Sequence, residues 1–135
     1  MTPARARDVV EPAAVGRGAA VAIAICLPLA LISQQLVDRE DGSPFTALLF
    51  LTVLVGFVIG GFVAARAATS APFTNGGLAA LLAFVAIQGT ALAVRLAADD
   101  GPPAFPVIVF NGLLAYGCGL AGGAIAARSR SKGDA

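Results

Sequence analysis

The side chains able to do chemistry in this 135-residue chain are few: two cysteines, Cys26 and Cys118, and no histidine. A thiol becomes a nucleophile or a metal ligand when a base, a cation or further ligands stand beside it. Cys26 and Cys118 stand among glycine, alanine and leucine, where a free cysteine serves as a small apolar residue. Both fall near the middle of apolar segments, so they would meet if the first segment contacted the fourth. The chain also lacks a Ser-His-Asp set, a phosphate-binding loop and paired carboxylates within apolar sequence. We therefore expect no enzyme, with no catalytic, cofactor-binding or metal-binding residues and no cofactor.

The remaining polar groups in apolar surroundings are Ser33, Gln34, Gln35, Gln88 and Asn111. An unpaired amide in hydrocarbon costs several kcal/mol, so each must face a neighbouring helix or water. Gln34, Gln88 and Asn111 form a candidate intramembrane polar cluster with two readings. One is interhelical hydrogen bonding, worth roughly 0.6 to 2 kcal/mol per contact. The other is a shallow outward-facing vestibule for a small polar solute. Proton-coupled transport has no intramembrane carboxylate to run on, and Arg95, one turn from Asp99, snorkels to an interface.

These residues are carried by four stretches without formal charge, bounded by Arg17 and Asp38, Asp41 and Arg66, Arg66 and Arg95, and Asp100 and Arg128. A helix needs about 20 mostly apolar residues to cross a bilayer, and each stretch meets or approaches that length. With 58% hydrophobic and 13% charged residues and a mean hydropathy of +0.86, little is left for a soluble domain. The spacing predicts an all-α, polytopic membrane protein. A cytoplasmic arm over 1–15 precedes a bundle over 16–128, with helices near 18–36, 45–67, 76–98 and 106–127, and a basic tail over 129–135 follows. Pro28 predicts a kink near Ala24. The first helix reads as retained, because Leu31-Ile32-Ser33 offers no small-x-small cleavage site.

If the helices alternate in direction, Arg5, Arg7, Arg17, Arg66, Arg128, Arg130 and Lys132 share one side, and only Arg39 and Arg95 lie on the other. The positive-inside rule then puts both termini in the cytoplasm of a bacterial cell, with the protein multi-pass in its plasma membrane. The net charge of +1 conceals this asymmetry.

Gly60-Gly61-Phe62-Val63-Ala64-Ala65-Arg66 recurs as Gly122-Gly123-Ala124-Ile125-Ala126-Ala127-Arg128, each copy entered through an acidic, proline-containing loop. The pattern reads as an internal repeat, two tandem helical hairpins related by an axis along the membrane normal. This paired Gly-Gly-x-x-Ala-Ala-Arg motif resembles that of small four-helix bacterial membrane proteins of unknown function, of the actinobacterial type. The resemblance implies class and location and supplies no ligand or catalytic residue.

Small residues recur every fourth position as Gly18-Ala22-Cys26-Ala30, Gly56-Gly60-Ala64-Ala68 and Ala115-Gly119-Gly123-Ala127. In lipid, such stripes let helix backbones approach closely. Gly18, Ala22, Gly56, Gly60, Gly61, Gly119, Gly122 and Gly123 are the candidate packing residues, and Gly56 and Gly60 are the stripe best placed to join a second copy. The expected function is a structural or accessory subunit in contact with membrane lipid, with itself as a homo-oligomer, or with a larger membrane complex. A passive channel or carrier for a small uncharged or weakly charged solute is the alternative, and nucleic acid is not an expected partner.

Overall fold

The computed structural model describes residues 9–37 and 44–133, and the side chains of all of these except 34–37. The described residues form four helices: α1 (Pro12–Val37), α2 (Pro44–Ala67), α3 (Pro72–Ala97) and α4 (Phe105–Gly133). Three of them begin on a proline, and α4 carries Pro106 as its second residue. Proline suits the first turn because its missing N–H would have no intrahelical partner there. At 1.5 Å per residue the shortest helix, with 24 residues, is about 36 Å long. All four are long and apolar enough to cross a membrane, so the chain is a multi-pass membrane protein.

Three boundaries differ by more than one residue from those the sequence predicts. α1 starts at Pro12 rather than Gly18, α3 at Pro72 rather than Gly76, and α4 continues past Ala127 to Gly133. The first two starts follow from proline's preference for the opening turn. Ala14 and Val15, assigned by sequence to a polar arm, are buried in the bundle. α1 continues as helix through Pro28.

α1 packs on α2 and α3, α4 packs on the same two, and α2 and α3 also touch each other, while α1 and α4 stand apart. The thiol pair that α1–α4 contact would create is therefore absent. Cys26 is fully buried and its Sγ donates to the Val53 carbonyl at 3.3 Å, whereas Cys118 is half-buried on α4. The α2–α3 contact has no α1–α4 counterpart, so the two halves are used unequally.

Backbone contact holds one half of the bundle together. A side chain on Gly18 would strike the Gly60 carbonyl and Ala64, and one on Gly60 would lie 2.6 Å from Ala22 Cβ. A Cβ at Gly61 would lie 2.5 Å from the Gly119 carbonyl oxygen, and one at Gly119 would meet the Gly76 carbonyl. Gly122 abuts the Val58 carbonyl, and Gly123 abuts that of Pro72. Without a hydrophobic drive between helices in lipid, this close van der Waals contact is what binds them. Gly56 lies against the Cys26 sulfur and Gly60 against Ala22. The stripe read as free for a second copy is covered by α1.

Candidate functional site

Two groups of polar side chains occupy opposite ends of the bundle. At the end where α2 passes into α3, Asn75 is fully buried. Its Nδ2 donates to the carbonyls of Ser70 (3.0 Å) and Ala71 (3.1 Å), and its Oδ1 accepts the Glu11 backbone N–H at 2.8 Å. Glu11, just ahead of α1, returns the contact through its carboxylate. Oε1 accepts from the Thr69 N–H (2.8 Å), the Thr69 hydroxyl (2.8 Å) and the Ser70 N–H (2.9 Å). These bonds, first that from the Ser70 backbone and then that from the Thr69 hydroxyl, hold the Glu11 carboxyl below its ordinary value against a smaller opposing effect of desolvation.

Arg130 closes the same end. Its Nη2 donates to the carbonyls of Ala65 (2.7 Å), Arg66 (2.8 Å) and Ala68 (2.8 Å), which the end of α2 leaves without helical partners. A cation there also opposes the negative end of the α2 dipole. Arg66 reaches back to the Ser129 hydroxyl at 3.2 Å and lies 5.8 Å from the centre of the Phe62 ring. These hydrogen bonds run between segments far apart in the chain, so the cluster is a clasp.

The other polar group lines a cleft of about 240 Å3. Its floor is the edge-to-face pair Phe57–Phe84, with ring centres 6.5 Å apart. Above it Leu49 and Val53 of α2, Ile87 and Gln88 of α3, and Asn111 and Leu114 of α4 form the walls, with Ala30 and Ser33 of α1. Ser33 Oγ is bonded to its own helix at the Ala30 carbonyl, 2.8 Å. Gln88 and Asn111 are half-buried, and neither has a hydrogen-bond partner among the described residues.

A family model described as a protein of unknown function, DUF3792, matches residues 12–126. The chain belongs to the DUF3792 family. No curated protein and no solved structure matches it. The DUF3792 match takes in Asn75, Gln88 and Asn111 and stops short of Glu11 and Arg130, so two arms of the clasp come from outside the matched segment.

In this DUF3792 protein, the sequence-derived packing residues Gly18, Ala22, Gly56, Gly60, Gly61, Gly119, Gly122 and Gly123 all lie buried at contacts between helices. Gln88 and Asn111 come together around the cleft, while the Gln34 side chain lies outside the described residues. Of the basic residues read as topology signals, Arg5 and Arg7 also lie outside them. Arg66, Arg128, Arg130 and Lys132 lie at the clasp end, with Arg17 exposed in the second turn of α1. Sequence reasoning missed Glu11 and Asn75, assigning one to an arm and the other to a turn. Pro12 and Pro72, as first-turn prolines, were the signal that would have placed both at helix starts.

Proposed function

We propose that this DUF3792 protein is a non-enzymatic subunit of the bacterial plasma membrane. It is a rigid four-helix unit of two tandem hairpins, with both termini cytoplasmic, that supports a larger membrane assembly or a homo-oligomer. The observation carrying this reading is the composition of the packed half, where helices meet through glycine and alanine and Asn75, the one fully buried amide among the described residues, has its bonds within the chain. Such a half resists deformation because no side chain lies between backbones to be rearranged. Its basic residues at the clasp end favour the cytoplasmic side, beside anionic lipid. Large apolar side chains such as Leu48, Leu51, Val55, Phe110 and Leu113 are exposed, ready to meet lipid or a partner helix.

A passive channel or carrier is the second reading, favoured by the cleft with its two amides. It would require the glycine-packed half to part, at the loss of all the contacts just described. Affinity purification in native lipid, followed by mass spectrometry, separates the two. A stoichiometric larger partner supports the subunit reading. Recovery of a lone species that conducts a neutral solute in proteoliposomes overturns it. Reporters fused to each terminus test the orientation, with both expected on the cytoplasmic face.

A further inference from the structure

The cleft at the Gln88 end poses an energetic problem. By volume it exceeds the ~150 Å3 of an apolar cavity that accepts benzene, and far exceeds the ~10–15 Å3 that a single water needs. Most of its wall is hydrocarbon from Leu49, Val53, Leu54, Phe57, Ile87 and Leu114, a poor host for a water cluster. Yet Gln88 and Asn111 both line it with no partner among the described residues. Gln88 lies seven residues from Arg95, about 10 Å deeper along α3 at 1.5 Å per residue. At that depth an unpartnered amide costs several kcal/mol.

We propose that this cleft binds an uncharged lipid, with its hydrocarbon chain against the Phe57–Phe84 floor and its carbonyl or hydroxyl group hydrogen-bonded to the Gln88 and Asn111 carboxamides. Each feature of the occupant follows from the lining. A carboxamide both donates and accepts, so it matches an ester carbonyl and a hydroxyl equally. Among the described lining residues there is no Lys, Arg, Asp or Glu, so a phosphate head lying against them would be submerged without a counter-charge. Phe50 lies in the wall and is 47% exposed on the outer surface of α2, which gives a chain from the bilayer a way in. The cleft is concave, mostly apolar and carries a few convergent polar groups, the usual make-up of a small-molecule site.

The test places the full-length protein in phosphatidylcholine nanodiscs doped with one of three matched probes. These are monooleoylglycerol, its phosphorylated twin lysophosphatidic acid, and octadecene, the bare chain. Native mass spectrometry reads which probe leaves with the protein. Monooleoylglycerol is expected to be retained, with each of the others held roughly tenfold more weakly, a difference of about 1.4 kcal/mol. The double variant Gln88→Leu/Asn111→Leu should lose that preference while melting no lower than the parent when empty, because it removes two unpaired amides. Leu54→Trp, which fills the cleft without touching either amide, should exclude all three probes and guards against misfolding of the double variant. Equal retention of octadecene, stronger retention of the phosphorylated twin, an unchanged preference in the double variant, or retention of no probe would each overturn the proposal.

Discussion

At the Asn75 end the helices touch backbone to backbone and the buried amide has every bond made. At the Gln88 end phenylalanine and leucine side chains hold the helices apart around a cleft in which two amides lack partners among the described residues. The same four helices make both ends, so the difference lies in which residues recur along them. Glycine at intervals of three or four draws α2, α3 and α4 together at Gly61, Gly76 and Gly119. Where that recurrence stops, at Phe57 and Phe84, the helices separate. A small bundle in lipid can thus set rigidity and room along its axis through side-chain size, because close backbone approach, rather than a hydrophobic drive, holds its helices together.

The contrast breaks most severely at its tightest contacts. Gly61→Leu and Gly119→Leu each drive a side chain into the backbone of a neighbouring helix, where no rotamer gives relief. We expect a loss of about 3 kcal/mol or more, at or above the upper end for overpacking, seen as loss of the folded species in denaturant titration from mild detergent. Gly117→Leu is the matched control, because nothing lies within 4 Å of its added Cβ, and it should melt like the parent. Equal damage from Gly117→Leu would show that glycine content, rather than close approach, supports the bundle.

Asn75→Leu comes next. It retains volume but leaves the Glu11 N–H without an acceptor and removes the donor shared by Ser70 and Ala71. Leaving a buried polar group unpaired costs about 1–3 kcal/mol, and the melting temperature should fall accordingly. The opposite result is expected at the other end, where Gln88→Leu removes an amide that has no partner to lose among the described residues. If both substitutions lower stability equally, the two ends do not differ in the way described.

What could be read in the sequence divides along the same line. The four spans, the glycine stripes and the standing of Gln88 and Asn111 as amides in apolar sequence depend on composition and i, i+4 spacing, which are properties of single helices and so visible in one dimension. The clasp depends on partners far apart in the chain: Glu11 meets Thr69 and Ser70, and Arg130 meets Ala65 to Ala68. Pro12 marks Glu11 as standing at a helix start, but nothing local names Thr69 and Ser70 as its partners, and Arg130 looked only like a topology signal. Its second role required α4 to extend beyond the apolar stretch. The separation of α1 from α4 was equally illegible, since small-residue stripes encode closeness without naming the neighbour.

Arg130→Met should cost about 1 kcal/mol, below the ~1.5–3 kcal/mol typical of hydrogen bonds to charged groups, because the site is partly open to solvent. Faster amide exchange confined to the last turn of α2 would check it. For Glu11 the pH dependence has a definite sign. Its carboxyl is depressed by the Ser70 and Thr69 donors, so in the window between the folded and ordinary values the unfolded chain binds more protons. The stabilisation is complete above the ordinary glutamate value and is lost as pH falls through the lower folded value. Proteolytic nicking of the Thr69–Ala71 turn should therefore rise on acidification in the parent, and Glu11→Gln should nick readily at neutral pH with a flatter acid dependence.

The smallest effect should come from Ala71, which sits at φ 45° and ψ 56° at the entry to α3. Two demands force it there. Pro72 disfavours the right-handed helical region for the residue before it, and the chain must reverse between Ala68 and Pro72 while aiming the Ala71 carbonyl at both Asn75 donors, its N–H at 3.0 Å and its Nδ2 at 3.1 Å. A left-handed alanine costs roughly 1–2 kcal/mol. Ala71→Gly removes that strain but adds about 0.4–1 kcal/mol of unfolded-state freedom, leaving a net gain between about 0 and 1.6 kcal/mol, centred below 1. Ala71→Val, whose branched side chain tolerates positive φ poorly, should move the melting temperature the other way. Opposite shifts of these two variants would show that the turn is held against its own preference by the clasp, and equal shifts that it is free to relax.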